Sequence, residues 1–211
     1  EMLQKKFNIK PLSFFNIGGI LNRTTICDNG ELSAADCGPG MCLIDKWIRT
    51  NSKKKYDKNG AIAKAGKVNK KILEKYYNYF IAFNLGKKSY DTNDFSISIV
   101  KNLSLKNGAA TLTLYTANFF NTHFQANKSL KIKEKTILCG GGRKNKFLVS
   151  TIKSFNKDVK LIDDYGIDGD FVESQAFGYL AIRSYLGLPI SFPKTTGCKK
   201  PITGGVIVRN Y

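Results

Sequence analysis

The chain has 211 residues, and its share of hydrophobic residues, 42%, is large enough for a buried core and excludes a disordered segment. No apolar run approaches the roughly 20 residues that a membrane-spanning helix requires, and no unbroken apolar stretch follows Lys5 and Lys6, so we expect no signal peptide. The formal charge of +18 could indicate a nucleic-acid partner, but the basic residues are overwhelmingly lysine, whereas recognition of bases and phosphates favours arginine. Asn, Ile, Phe and Tyr are abundant and share AT-rich codons with Lys. We therefore favour genomic composition over a nucleic-acid partner as the explanation of the charge, and we expect no membrane.

The five cysteines are an odd number, and none of them forms a C-x-x-C pair. The single histidine, His123, is far from all of them in the sequence, so we expect no zinc site and no other metal-ligand cluster. Reduced thiols in a cytoplasmic protein are the simplest interpretation.

Short apolar runs and turn residues alternate in the first part of the chain. Residues 14–17 and 24–27 are predicted to be strands of a hairpin-like pair, with a turn at residues 28–30. Residues 34–40 are predicted to be a strand that enters a glycine-rich loop, and a helix follows from Met41 to about Arg49.

The middle of the chain begins with a lysine-rich stretch. Residues 51–75 contain nine lysines against two acidic residues, which indicates a solvated surface that leads into a helix near residues 68–80. A second helix is predicted at residues 109–120, where one side is apolar.

The last third alternates between strands and helices. Residues 135–139 and 159–162 are predicted strands, and helices are predicted from about Asn145 and over residues 169–186. Strands first, then alternating helices and strands, predict an α/β fold with one mixed sheet flanked by helices.

Asp36 precedes two glycines, Gly38 and Gly40, where a predicted strand joins a helix. Glycines let a ligand approach the backbone, and N–H groups at the start of a helix attract phosphate. A carboxylate at the end of a strand can act as a general base or hold a metal ion. The alternative from local sequence is a tight turn with an acid at the helix start.

Three glycines, Gly140, Gly141 and Gly142, lie between a predicted strand and a helix. A ligand could lie flat against such a backbone, but the pattern is not the G-x-G-x-x-G of dinucleotide-binding proteins. Elsewhere, the segment Gly60 to Val68 fails as a phosphate-binding P-loop. Five residues separate its glycines instead of four, and Val68 stands where a magnesium-binding Ser or Thr is needed.

Asp170 and Glu173 have the spacing of a capping box at the start of the helix predicted over residues 169–186, with Asp170 as the cap and Glu173 reaching back. His123 has no plausible nucleophile partner, and no role is predicted for it.

Taken together, these segments resemble the anhydro-N-acetylmuramic acid kinase family, in the family's order and over nearly the whole chain. The matching segments are residues 16–22 (NIGGILN), 36–45 (DCGPGMCLID), 56–68 (YDKNG and GKV), 88–89, 110–113 (ATLT), 139–145 (CGGGRKN), 164–181 and 196–205.

The resemblance implies a ribonuclease H-like or actin-like ATPase fold of two lobes, with ATP and Mg²⁺ in the cleft between them. The implied reaction belongs to peptidoglycan recycling. Water opens the 1,6-anhydro bridge of anhydro-N-acetylmuramic acid while the γ-phosphoryl group of ATP is transferred to the released O6, which gives N-acetylmuramic acid 6-phosphate.

By position in the family's motifs, Asp36 matches the catalytic base that takes a proton from the attacking water, with Gly38 and Gly40 beside the phosphates. Glu173 matches an acid that is expected to face the sugar. The loop Gly140–Gly142 matches the adenosine side of the cleft. Two positions depart from the phosphate-loop motif, where Cys37 replaces Thr and Met41 replaces Asn.

The family's first lobe carries a loop of the form GxMSGTSxDG, and no segment of this sequence resembles it. We therefore expect residues 1–211 to be the second, C-terminal lobe, with the first lobe supplied by a separate chain or by sequence outside this one. A non-catalytic remnant of such a kinase, or a basic nucleic-acid-binding module, is the alternative.

Overall fold

The computed structural model describes residues 11–84, 89–206 and 208, and its centre is a five-stranded mixed sheet. The strands are β1 (Leu12–Ile17), β2 (Ile20–Ile26), β3 (Leu32–Pro39), β4 (Lys135–Cys139) and β5 (Lys160–Leu161).

The strands lie in the order β3-β2-β1-β4-β5. β2 is antiparallel to both of its neighbours, whereas β4 is parallel to β1 and β5 is parallel to β4. This order, with only the second strand reversed, is the arrangement of the ribonuclease H-like fold, so the predicted fold class of a mixed sheet flanked by helices is confirmed.

The sequence of β1 shows how the sheet separates two cores. Phe15 and Ile17 point into the main core, while Leu12 belongs to a smaller cluster on the opposite face. This alternation is the period of two that a strand covered on both faces requires. The turn predicted at residues 28–30 is present, and it connects β2 to β3.

Seven α-helices accompany the sheet in the described part of the chain. They are α1 (Cys42–Asn51), α2 (Ala61–Lys64), α3 (Lys70–Asn84), α4 (Leu105–Ser129), α5 (Lys146–Phe155), α6 (Val172–Tyr185) and α7 (Pro193–Thr196).

The long helix α4 covers the main core. The helix predicted at residues 109–120 is its interior; Ser104 caps its start by accepting a hydrogen bond from the N–H of Asn107. Phe120 packs against Phe15 of β1 with ring centroids 4.8 Å apart. These contacts fix α4 across one face of the sheet.

The lysine-rich stretch forms a solvated surface, as predicted. All nine lysines within residues 51–75 are exposed. The short helix α2 in this stretch was not predicted from the sequence. It is held by buried Asp57, whose two carboxylate oxygens accept hydrogen bonds from the N–H groups of Ile62 (2.8 Å) and Ala63 (2.9 Å).

The opposite face of the sheet is covered much less. Its buried cluster consists of Leu12, Ile137, Cys139 and Ile162. Helix α6 lies on this side, but none of its 14 residues is buried. The carboxyl ends of β1, β3 and β4 therefore open onto accessible cavities on this face.

Candidate functional site

Three polar side chains form a row across the sheet. Asn16 of β1 pairs with Asn22 of β2, and Asn22 pairs with Asp36 of β3. Directly opposite residues on neighbouring strands project from the same face with their Cβ atoms about 5 Å apart. The row lies where β1 and β3 end, and the carboxyl ends of strands are where open α/β sheets bind ligands.

Two cavities adjoin along this row. The Asp36 cavity has a volume of about 380 Å³ and is lined by Asn22, Arg23, Ala35, Asp36, Ser89 and residues 193–197 around α7. The Glu173 cavity has a volume of about 420 Å³, and its polar lining includes Asn16, Asn22, Thr24, Arg143, Asp170 and Glu173. Asn22 lines both cavities, so the candidate base and the candidate sugar-binding acid lie on either side of it.

Asp36 is half-buried, and one of its carboxylate oxygens, Oδ2, accepts a hydrogen bond of 2.8 Å from the N–H of Tyr90. Among the described residues no donor to Oδ1 is found, so that oxygen can accept a proton from a water or a ligand. The next residue, Cys37, packs against the main core, and burial raises the pKa of its thiol to about 11. The thiol therefore stays neutral beside the carboxylate.

The glycines after Asp36 have clear packing roles. A Cβ at Gly38 would lie 2.9 Å from the ring of Phe119, and one at Gly40 would collide with the carbonyl of Gly18. The N–H of Gly40 donates to the carbonyl of Gly19 at 2.9 Å. Because that donor is used within the protein, phosphate binding at Gly38 and Gly40 stays a prediction, and it would need a rearranged loop to use the N–H of Gly40.

The three glycines after β4 differ in their surroundings. Gly140 has a φ of +78°, and a Cβ there would collide with the side-chain oxygen of Asn16; Gly142 is buried against Ile17. Gly141 is exposed and lines the Glu173 cavity, and a Cβ added to it would have no neighbouring atom within 4 Å. Gly141 is thus the glycine of this loop with open space beside it for a ligand.

Arg143 fixes this loop to the start of α6. Its guanidinium donates to Asp163 and to Asp170, each at 2.8 Å, and to the carbonyl of Gly140 at 3.2 Å. The hydrogen bond from Arg143 lowers the pKa of Asp163, so the pair is charged at neutral pH. The loop and the first turn of α6 therefore form one wall of the Glu173 cavity.

The predicted capping box at Asp170 and Glu173 is wrong. The residue at the helix start is Phe171, and no side chain caps it. Asp170 instead pairs with Arg143 and with Lys144, whose Nζ lies 2.5 Å from it, so its carboxylate oxygens bind side-chain cations and not backbone N–H groups of α6. Glu173 is exposed in the first turn of α6 and lines the cavity.

The sequence model of the anhydro-N-acetylmuramic acid kinase family matches residues 5–210. The chain belongs to the anhydro-N-acetylmuramic acid kinase family. It is similar to the anhydro-N-acetylmuramic acid kinases of Pelagibacter ubique strain HTCC1062 (45% identical, 96% of this chain), Zymomonas mobilis (39%, 93%) and Caulobacter vibrioides (40%, 94%). The matches span 56%, 54% and 53% of those relatives' own lengths, so the chain spans about half of each.

Among solved structures, the chain resembles the activator of the 2-hydroxyisocaproyl-CoA dehydratase from Clostridium difficile with bound ADPNP. The two are 12% identical, with a TM-score of 0.45 over 73% of this chain and 55% of that one. This likeness is too weak to bear on the fold or on ligands.

The two departures from the kinase family's phosphate-loop motif fall on the core side of the loop. Cys37 and Met41 both pack against the main core. Neither side chain lines the Asp36 cavity. Of the pair Lys88-Ser89, Lys88 lies outside the described residues, whereas Ser89 lines the Asp36 cavity.

Asn16 and Asn22 lie within a family motif, but no role is predicted for them from the sequence. The signal that could have found them is their equal distance from Gly19 at the centre of the hairpin turn, because residues placed symmetrically about a hairpin turn face each other. Arg143 was missed for a different reason, since its two aspartate partners are 20 and 27 residues away in the sequence.

Within residues 11–84, 89–206 and 208, no group of three or more His, Cys, Asp or Glu side chains could hold a metal ion. No helix in the same residues is long and apolar enough to cross a membrane. All five cysteines are free.

Proposed function

We propose that this chain supplies one side of the catalytic cleft of an anhydro-N-acetylmuramic acid kinase, which converts 1,6-anhydro-N-acetylmuramic acid, water and ATP to N-acetylmuramic acid 6-phosphate and ADP. The observation that carries the proposal is the row Asp36–Asn22–Asn16, with Glu173 across the adjoining cavity. A base and a second carboxylate separated by neutral polar groups suit a sugar that must be attacked by water at one end and held along its ring.

Asp36 acts in this proposal as the general base. Its Oδ2 is held by the N–H of Tyr90, which fixes the carboxylate and leaves Oδ1 for a water. The water oxygen forms a bond to C1 of the sugar, the C1–O6 bond breaks, and the water proton moves to Asp36. O6 then forms a bond to the γ-phosphorus as the bond to ADP breaks.

Glu173 binds the sugar in this proposal. Because no partner in the described residues occupies its carboxylate and it lines the cavity beside Asn22, it can accept hydrogen bonds from ring hydroxyl groups.

The nucleotide is proposed to lie against Gly140–Gly142, with Gly141 offering the open backbone surface. ATP supplies the phosphoryl group, and Mg²⁺ would neutralise its charge. Asp36 is the carboxylate of the row, and a magnesium ion bound to ATP needs only one or two protein carboxylates besides phosphate and water. A carboxylate that holds the ion directly cannot also act as a free base, so this proposal assigns Asp36 the role of base.

The other side of the cleft is proposed to come from a first lobe, in this polypeptide or another, because the chain spans about half of its relatives' length. The scarcely covered sheet face and the exposed helix α6 lie on the side where such a lobe would be needed. The proposed use of ATP as a substrate and the five free cysteines are both consistent with a cytoplasmic location of the protein.

The test is an assay of residues 1–211 mixed with the remaining half of the Pelagibacter ubique kinase, here called the complemented enzyme. Formation of N-acetylmuramic acid 6-phosphate and ADP in equal amounts is expected, and it should depend on the anhydro sugar. ATP hydrolysis without sugar serves as the background. Stable association of the two parts without any sugar phosphorylation would refute the proposal and favour a non-catalytic remnant.

A further inference from the structure

The side chains of Asn16 and Asn22 lie opposite each other on β1 and β2, and both residues are half-buried. Within the described residues neither side-chain amide makes a hydrogen bond to the protein. Each amide offers two donors and an acceptor. These two adjacent unpaired amides, near the end of β1 and the start of β2, have capacity for several hydrogen bonds to a ligand.

Neither asparagine caps a helix or closes a turn. Asparagine is disfavoured in strands, because its short polar side chain packs poorly on a pleated surface. Asn16 and Asn22 do not cap a helix, and the hairpin between them is closed by Gly18, whose N–H donates to the carbonyl of Ile20 at 3.2 Å. Capping and turn formation therefore leave the choice of these two residues unexplained.

The charges around the two amides indicate what kind of group they would hold. In the described structure the cation that lines the Glu173 cavity is Arg143, and its guanidinium is already paired with Asp163 and Asp170. The remaining charged lining group is the carboxylate of Glu173, which repels phosphate. A neutral ring with hydroxyl groups fits, because it can donate to carboxylate oxygens and accept from the amides.

We infer that Asn16 and Asn22 are ligand-binding residues, and that together they hold an uncharged, hydroxylated ring of a bound substrate. The inference rests on the proposed function, in which two such rings are present, the anhydro sugar and the ribose of ATP. Asn22 also lines the Asp36 cavity, so a ring held by its amide has one edge directed at the candidate base.

The experiment follows the side-chain NH₂ signals of both asparagines by NMR in residues 1–211, with assignment by Asn16→Ala and Asn22→Ala. The probes are 1,6-anhydro-N-acetylmuramic acid, adenosine and inorganic phosphate, each added to roughly tens of millimolar so that millimolar affinity is detected. Both signals are expected to shift saturably with one of the two ring probes, which identifies the ring, and not with phosphate. The NH₂ signal of exposed Asn29, in the β2–β3 turn, is the control.

A saturable shift with phosphate, or no shift with either ring probe, would overturn the inference. For the probe that binds, Asn22→Ala should weaken affinity at least about tenfold, which corresponds to one lost hydrogen bond of ordinary strength. The outcome is separable from that of the proposed function. A complemented enzyme that phosphorylates the sugar while Asn22→Ala keeps normal Michaelis constants refutes the inference alone. Ring-dependent shifts without any kinase activity refute the function alone.

Discussion

Nε2 of His123 lies 2.7 Å from Oε2 of Glu134, and both side chains are nearly enclosed by the protein. Glu134 also accepts hydrogen bonds from Ser13 and Asn127, and Nδ1 of His123 lies 2.5 Å from the guanidinium of Arg23. His123, for which the sequence predicted no role, therefore joins the end of α4 to β1 and β2 by a buried polar network.

This network predicts that Glu134→Gln destabilises the fold. Burial alone would raise the pKa of Glu134, but hydrogen bonds from His123, Ser13 and Asn127 outweigh it and lower the pKa. Loss of the charged acceptor should reduce the free energy of unfolding by about 1.5–3 kcal/mol, as measured by urea denaturation at pH 7.

The effect should depend on pH in a defined direction. A carboxyl group with a lowered folded-state pKa stabilises the fold above its unfolded pKa of about 4.3, and this contribution is lost as the pH falls through the folded-state value. The difference between parent and Glu134→Gln should therefore shrink below about pH 4. A constant difference down to pH 3 would contradict the charged network, and exposed Glu74→Gln is the control, with little effect at any pH.

The glycine loop after β4 offers a matched pair of substitutions. Gly142→Ala should lower the free energy of unfolding by about 1–3 kcal/mol or more, because its Cβ would collide with the buried side chain of Ile17. Gly141→Ala should be neutral within about 0.5 kcal/mol, because no atom lies within 4 Å of its Cβ. Thermal and urea denaturation test both.

The same pair separates folding from nucleotide binding. If the adenosine part of ATP lies against Gly141, then Gly141→Ala should raise the Michaelis constant for ATP in the complemented enzyme while stability is unchanged. Normal kinetics in a stable Gly141→Ala variant would remove this glycine from the nucleotide site.

The strands and most helices were predictable from the sequence because local patterns determine them. The strand at Lys135–Cys139 has a continuous apolar run after its first residues, and its predicted bounds match those observed. The short helix α2 was missed because its own four-residue pattern does not predict a helix. It is stabilised instead by hydrogen bonds to Asp57, which lies several residues earlier in the sequence.

The candidate site was predictable only in part, because its geometry depends on tertiary pairing. Asp36 and Glu173 were identified by their resemblance to family motifs, whereas the two cavities that they line could not be predicted from the sequence. The capping box failed because Asp170 meets Arg143 only after β4 and α6 are brought together. Likewise, the packing roles of Gly38 and Gly40 follow from Phe119 and Gly18, which the local sequence does not place beside them.

Asp36→Asn should lower turnover of the complemented enzyme by at least about 100-fold, the usual contribution of a positioned general base. The fold should be little changed, because the amide oxygen of Asn can still accept the hydrogen bond from the N–H of Tyr90. Asp28→Asn, in the exposed β2–β3 turn, is the control and should keep full activity. Turnover of Asp36→Asn within a few-fold of the parent would exclude Asp36 as the base.

Glu173→Gln should change stability by less than about 1 kcal/mol, because Glu173 caps nothing and only its charge at the start of α6 is lost. In the complemented enzyme, a role in binding the sugar predicts a higher Michaelis constant for the anhydro sugar, with that for ATP unchanged. Steady-state kinetics with each substrate varied in turn measures both. Equal effects on the two Michaelis constants would place Glu173 outside the sugar site.

Residues 1–211 by themselves are expected to bind ATP weakly and to leave the anhydro sugar unchanged. The described residues supply a candidate adenosine surface at Gly141 and a base at Asp36, but the N–H of Gly40 is bonded to Gly19 and the cation at the Glu173 cavity, Arg143, is paired with two aspartates. Phosphoryl transfer depends on groups that position and neutralise the transferred phosphoryl group. Calorimetry should therefore show no affinity tighter than about 100 μM, or about −5.5 kcal/mol. The complemented enzyme is the positive control, since the added first lobe should tighten binding by closing the cleft. Micromolar affinity in residues 1–211 together with sugar phosphorylation would demonstrate a complete phosphate clamp within this sequence and would refute the proposed need for a first lobe.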